Sequence, residues 1–239
     1  MNSPAAPTDT PARKEATNSS PRVVVVRTGI ANTASVLAAL ARCRATAELS
    51  SDAAQIAESS HVVLPGVGSF GPAMEELNRL GLVDVLRARI NAQRPTLCVC
   101  LGLQLLCESS EESSSVRGLG VIHASITRFR SGRVPQLGWN RVEAPDRAVL
   151  VASDHFYFAN SYKLDTAPPG WTASTTEYEG RFVSAIERGC VLACQFHPEL
   201  SGDAGLSLIA RWLHCSENAL GSATGREAPN ARALLSKGH

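Results

Sequence analysis

The chain has 239 residues, 44% hydrophobic and 19% charged, with a formal net charge of +1. That length has room for one domain with a full apolar core. The near-neutral, interspersed charge excludes an electrostatic case for nucleic acid or an anionic membrane as main partner. No apolar run reaches the roughly 18–20 residues needed to span a bilayer, and no signal-peptide core is visible. Seven cysteines, an odd number without framework spacing, fit a reducing cytoplasm.

Residues 1–22 are rich in Pro, Ala, Ser and Thr without apolar periodicity and read as a disordered arm. Residues 23–26 are four valines, the pattern of a strand buried on both faces. Val36, Leu37, Leu40 and Ala41 then recur at helical spacing across residues 33–44, after Asn32 as a cap. His61–Leu64 is a second apolar run, ended by Pro65 and Gly66. Residues 73–90 read as one helix, with Met74, Leu77, Leu80, Val83, Leu86 and Ile90 broadly on one side. Thr96–Val99 is a third short strand, and residues 103–107 open another helix.

From residue 120 to 195 the strand-like segments crowd together and helices thin out, which points to an antiparallel half. An amphipathic helix over residues 206–213 closes the domain, and the tail after Cys215 reads as loose. Strand–helix alternation in the first half implies an α/β fold with a mainly parallel sheet flanked by helices on both faces. One domain over residues 23–215 is expected.

The chemistry concentrates in three places. An apolar strand runs through Cys98 into Cys100, then Gly102 and a helix, the cysteine form of a nucleophile elbow. The sharp turn needs little bulk two residues to either side of the nucleophile; Gly102 meets that need, while Cys98 crowds it. A helix N-terminus favours thiolate over thiol. Burial in the core is the competing reading for Cys98, Cys100 and Cys107.

The second place is Gln195-Phe196-His197-Pro198-Glu199, after the apolar residues 191–193. At a strand end, positions i and i+2 point the same way, so Glu199 is placed to hold the imidazole of His197 while His197 faces Cys100. That is nucleophile, base and orienter. The third is the Gly-rich stretch at residues 65–71. The backbone amides of Gly68 and Leu101 are natural oxyanion donors. A phosphate-binding loop fits less well, because the glycine spacing fails and no P-loop lysine follows.

No structural-zinc spacing accompanies Cys98 and Cys100, so no metal is expected. Core packing is the reading for Cys43, Cys107, Cys190, Cys194 and Cys215. His155 is a second candidate base, but lacks an acid two residues on. His61, His123 and His214 read as structural or surface residues.

Pro-Gly-Val-Gly-Ser-Phe, Cys-Leu-Gly-Leu-Gln-Leu-Leu and Gln-Phe-His-Pro-Glu occur in this order. Together they resemble the class I, triad-type glutamine amidotransferases, and more closely the glutaminase subunits of imidazole glycerol phosphate synthase in histidine biosynthesis. The stretches around Gly29, Cys107, Leu137 and Phe156 add to the likeness, which covers roughly residues 23–215. The resemblance implies a flavodoxin-like glutaminase fold, with Cys100 as nucleophile, His197 as base and acid, and Glu199 as orienter. It implies that Gln104 and Glu112 hold the amino-acid end of glutamine, that Gly66 lines the site, and that Asn160, Ser161 and Tyr162 close it. It places Asn32, Trp139 and Asn140 on a face that docks a cyclase subunit in a heterodimer, and it implies no cofactor.

The chain departs from that pattern at several points. Cys98 stands for a glycine, Arg27 and Thr28 for Asp-Tyr, and Ala31 for a glycine. Gln136 and Asn160 each stand for a histidine, and Leu200 for a lysine. A weakly active or inactive docking subunit, or another Cys–His hydrolase of similar fold, would share the triad; release of glutamate separates these readings.

Overall fold

The computed structural model describes residues 21–28, 33–66 and 68–215. The arm and tail expected at the two ends, and the interface residue Asn32, therefore lie outside the described residues, apart from residues 21 and 22. In chain order the elements are β1 (Arg22–Val26), α1 (Ala34–Arg42), β2 (Thr46–Ser50), α2 (Ala53–Glu58) and β3 (His61–Leu64). Then come α3 (Phe70–Arg79), α4 (Val83–Asn91), β4 (Thr96–Val99), α5 (Leu101–Leu105), β5 (Cys107–Ser110) and β6 (Ile122–Arg128). The second half adds β7 (Gln136–Val142), β8 (Asp154–Asn160), β9 (Tyr162–Lys163), β10 (Thr172–Glu177), β11 (Arg181–Arg188), β12 (Val191–Cys194) and α6 (Gly202–Leu213).

The main sheet has seven strands in the order β10-β11-β12-β4-β3-β1-β2. Pairings from β12 across to β2 are parallel, and β10, β11 and β12 pair antiparallel. The expected α/β fold with an antiparallel C-terminal portion is what forms. The strands nearest the middle, β3, β4 and β12, read as apolar runs because helices cover both of their faces. Alternate residues of these strands enter two separate cores. Val23, Val25, Leu97, Val99 and Leu192 pack with α1 and α6, while Val24, Val62, Leu64, Cys98 and Ala193 pack with α3, α4 and α5. A β7–β8 ribbon brings Phe156 and Phe158 onto Phe196 and Phe182 in the first core.

Local chemistry corrects three expectations. Residues 73–90 are not one helix: α3 begins at Phe70 and ends at Arg79, and α4 starts at Val83. Gly81 takes φ +67°, and Leu82 N–H reaches back to Leu77 O at 2.9 Å, a glycine-dependent C-terminal cap. The apolar phase happens to continue across that break. The helix after the elbow covers only Leu101–Leu105, and Cys107 already belongs to β5, parallel to β6. The segments β2 and α2 had no clear signature: β2 is a sheet edge with alternating exposure, and α2 buries Ile56 alone.

The third correction concerns Cys190 and Cys215. Both are buried, but they are joined as a disulfide with Cα atoms 5.7 Å apart, where the turn before β12 meets the residues after α6. Cys43, Cys98, Cys100, Cys107 and Cys194 are free. Among the described residues no helix is long and apolar enough to cross a membrane, and no group of His, Cys, Asp or Glu is placed to hold a metal ion.

Candidate active site

The parallel sheet delivers one loop after β3, one after β4 and one after β12 to the same edge, where an open α/β sheet places ligands. Strand β4 ends at Val99, and Cys100 turns the chain with φ +50° and ψ −107° before α5 begins. Its backbone N–H is held by Cys194 O at 2.7 Å. A β-carbon on Gly102 would sit 2.5 Å from Leu64 O, and one on Gly66 would sit 2.3 Å from the Gly102 nitrogen. Two glycines thus let the loop after β3 close on the elbow.

Cys98 does not crowd the elbow. Its side chain lies in the core shared with α3 and α4, whereas Cys100 belongs to the core on the other sheet face. Burial pushes the Cys98 and Cys107 thiols up to about 12 and Cys43 up to about 11, and it raises Cys194 well above the ordinary range. These four are neutral thiols at physiological pH.

His197 follows β12 in extended conformation, and its N–H donates to Tyr157 O at 2.8 Å. A 3₁₀ turn, Pro198–Leu200, swings Glu199 back, and Glu199 Oε1 lies 2.8 Å from His197 Nδ1. The pair therefore meets through a turn rather than through the strand alternation expected from the sequence. Ser201 locks the turn by donating its hydroxyl to His197 O and accepting from Tyr157 N–H at 2.9 Å. His197 and Glu199 side chains are 6% and 8% exposed, so the pair is shielded from water.

Burial alone would lower the His197 pKa. Hydrogen bonds to Cys100 and Glu199, with their charges, outweigh it and push the value up to about 10. The raised value carries a sign: the stabilisation from protonated His197 is fully present below about 6.5 and is lost as pH rises toward about 10. In thermal melts, wild type should exceed His197→Gln most near the lower end of that window and converge with it at the upper end. A gap independent of pH would contradict this account.

A cleft of about 360 Å³ opens over Cys100 and His197. Gly66, Gly68, Leu101, Gln104, Glu112, Asn160, Ser161 and Tyr162 all line it, so every expected oxyanion and substrate residue borders one space. Gly68 takes φ +104°, which a side chain would resist. Glu112 Oε2 accepts from Phe70 N–H at 2.7 Å, tying its loop to the start of α3. Asn160 Nδ2 donates to Tyr162 O at 3.0 Å. Gln136 pairs opposite Asn160 in the β7–β8 register and is buried with it.

Trp139 and Asn140 stand apart from the chemistry on β7. Trp139 is 57% exposed, and Asn140 Nδ2 donates to Glu177 O at 3.0 Å. Leu200, 45% exposed, lines the cleft mouth. His155 lies exposed on β8 opposite Arg141. Two residues in this neighbourhood had no role from the sequence: Ser201, which locks the turn, and Gln195, whose side chain contacts Cys100.

A sequence model of the glutamine amidotransferase class-I family matches residues 23–214. Imidazole glycerol phosphate synthase subunit HisH of Chlorobium luteolum is 41% identical over 200 residues, covering 81% of this chain and 100% of that protein. The subunit HisH of Rhodopirellula baltica is 38% identical over 196 residues, covering 80% and 96%. The chloroplastic imidazole glycerol phosphate synthase hisHF of Arabidopsis thaliana is 45% identical over 167 residues, and the match spans 28% of that longer protein. Among solved structures, a glutamine amidotransferase superposes with TM-score 0.65 at 21% identity, covering 80% of this chain and 97% of that one. PurLQS from Thermotoga maritima gives TM-score 0.67 at 14% identity, covering 84% and 100%. At such identities the two structures speak for the fold alone.

Proposed function

The chain belongs to the class-I glutamine amidotransferases and, within them, to the HisH subunits of imidazole glycerol phosphate synthase, and on that premise we propose that it hydrolyses glutamine and passes the ammonia to a cyclase subunit. The supporting observation is the hydrogen-bonded run Cys100–His197–Glu199, whose first two members line one cleft. Residues 23–215 form the amidotransferase unit in this reading.

The sulfur of Cys100, its proton held on His197, attacks the side-chain amide carbon of glutamine. The carbonyl electrons move onto oxygen, which the Gly68 and Leu101 amides receive. His197 returns the proton to nitrogen, the carbon–nitrogen bond breaks, and ammonia leaves a γ-glutamyl thioester. Water then attacks the thioester carbon while His197 takes its proton; glutamate leaves and the Cys100–His197 pair is restored. Glu199 keeps Nδ1 facing itself and Nε2 facing sulfur and substrate. Gln104 and Glu112 take the amino-acid end of the substrate, and residues 160–162 close over it.

Free ammonia at neutral pH is mostly ammonium, which is not nucleophilic, so transfer into a docked partner is chemically sensible. The exposed Trp139, lying 3.9 Å from where a Gly202 β-carbon would be, and the exposed Leu137 and Leu200 support a docking face beside the cleft. Asn140 belongs to that face in this reading. A cytoplasmic location goes with a biosynthetic role.

The test is glutamate release from glutamine by the chain alone and with a cyclase subunit and its ribotide ligand. Turnover that rises on adding the cyclase is the expected result. No release in any mixture would instead leave a docking subunit without turnover, and equal release with and without cyclase would remove the partner assignment.

A further inference from the structure

Gln195 is fully buried directly after β12, and its backbone N–H donates to Ser184 O at 2.8 Å, so β11 fixes its place. Its side-chain Nε2 lies 3.5 Å from Cys100 Sγ as a donor. Its Oε1 accepts from Gln104 Nε2 at 3.1 Å, and the same Gln104 nitrogen donates to Tyr162 O at 3.4 Å.

The two ends of a carboxamide are alike in shape, so orientation has to come from the partners. Here one partner decides. The Tyr162 carbonyl can only accept, so Gln104 must present its NH₂ group there. That NH₂ group cannot accept, so Gln195 must face it with oxygen. The Gln195 NH₂ group is then left facing sulfur. A fixed polarity therefore runs from Tyr162 through Gln104 and Gln195 to Cys100. His197 holds the sulfur from one side, and nothing in the mechanism above holds it from the other.

We propose that Gln195 is a positioning residue for Cys100: its amide N–H holds the sulfur and stabilises negative charge there, and its oxygen, oriented by Gln104, ties the nucleophile to the substrate pocket. This rests on the glutaminase reading for its consequence in turnover, though not for the contact itself. Gln104 then acts twice, toward glutamine and toward the sulfur. The chain also explains why a long amide is buried without charge beside a thiol: both of its ends are satisfied only in this arrangement.

The experiment measures alkylation of Cys100 by iodoacetamide at pH 7 without glutamine, read by peptide mass spectrometry, in the full chain and its Gln195→Glu, Gln195→Met and Gln104→Met variants. Glutamate replaces the donor by an oxygen at unchanged length; methionine removes both polar ends. Alkylation of the Gln195 variants is expected to fall about ten- to a hundredfold, the size of one donor lost from a charged acceptor. Gln104→Met should lower it too, because the polarity of Gln195 is no longer set; a residue that only bound glutamine would leave substrate-free alkylation unchanged. With the cyclase present, the Gln195 variants should lose kcat by a similar factor while KM stays within about twofold.

Thermal melts identify the folded variants, and if Gln195→Met does not fold, Gln195→Glu decides alone. Unchanged alkylation in a folded Gln195 variant, or in Gln104→Met, overturns the proposal. Absence of glutamate release by the wild type with cyclase would sink the glutaminase reading instead, and the alkylation rates would still decide the role of Gln195.

Discussion

Cys100→Ala is expected to lose glutamine hydrolysis by about 10⁴- to 10⁶-fold in kcat, the scale seen when a triad nucleophile is removed. The loss should come without loss of fold. Cys100 lies in a core with Phe129 and Phe158, and removal of one sulfur there leaves the surrounding contacts in place. The backbone at this residue, φ +50° and ψ −107°, is strained for any side chain with a β-carbon. Alanine keeps that strain, so its melting temperature should stay within about 3 °C of wild type. Glycine relieves it, so Cys100→Gly should be equally inactive yet melt a few degrees above Cys100→Ala. Glu199→Gln should fall less, by about 10²- to 10⁴-fold, because the nucleophile and base remain and only the orientation of the imidazole is lost. Combining Glu199→Gln with Cys100→Ala should add nothing to the single cysteine change. Cys100→Ala turnover within tenfold of wild type would assign the nucleophile elsewhere.

What the sequence revealed followed from burial and from glycine. The runs at β1, β3, β4 and β12 are apolar because both faces are covered, and a run of valines admits few other readings. Gly66 and Gly102 mark the elbow because backbone approaches within van der Waals contact there, and that requirement is local. The edge strand β2 and the short α2 carry too little buried surface to leave a pattern. The break at Gly81 was hidden because apolar residues on either side keep the same phase through it.

The site shows the same division. His197 and Glu199 were paired from two-residue spacing, and they do pair, but a 3₁₀ turn brings them together. The function of Gln195 could not be read from its position, since it depends on which end of an amide faces which neighbour, and those neighbours come from α5 and β9. Nor could the Cys190–Cys215 pair, 25 residues apart, be told from two buried thiols without knowing that α6 ends beside the turn before β12. Cys100 and His197 were matched across the chain because each sits in a recognisable motif; the polarity of an amide and the pairing of two cysteines carry no such mark.

Gly66→Ala tests whether close backbone approach, rather than the triad alone, builds the site. The added β-carbon would lie 2.3 Å from the Gly102 nitrogen, 2.5 Å from Val99 O and 2.6 Å from Leu101 Cβ. The first two are backbone atoms and the third is bonded to backbone, so no side-chain rotation makes room. The loop after β3 and the elbow must separate instead, and Gly66 and Leu101 both line the cleft. Overpacking against backbone should cost about 3 kcal/mol, or roughly 6–12 °C in melting temperature for a chain of this size. Turnover should fall by more than about 100-fold in the molecules that remain folded, because the shift moves the Leu101 amide away from the oxyanion. Gly170→Ala is the matched control: its φ of +78° strains any side chain, but nothing lies within 4 Å of the added carbon. It should cost about 1 kcal/mol and leave turnover intact. If Gly66→Ala behaved like Gly170→Ala, the packing of the loop after β3 on the elbow would have no part in catalysis.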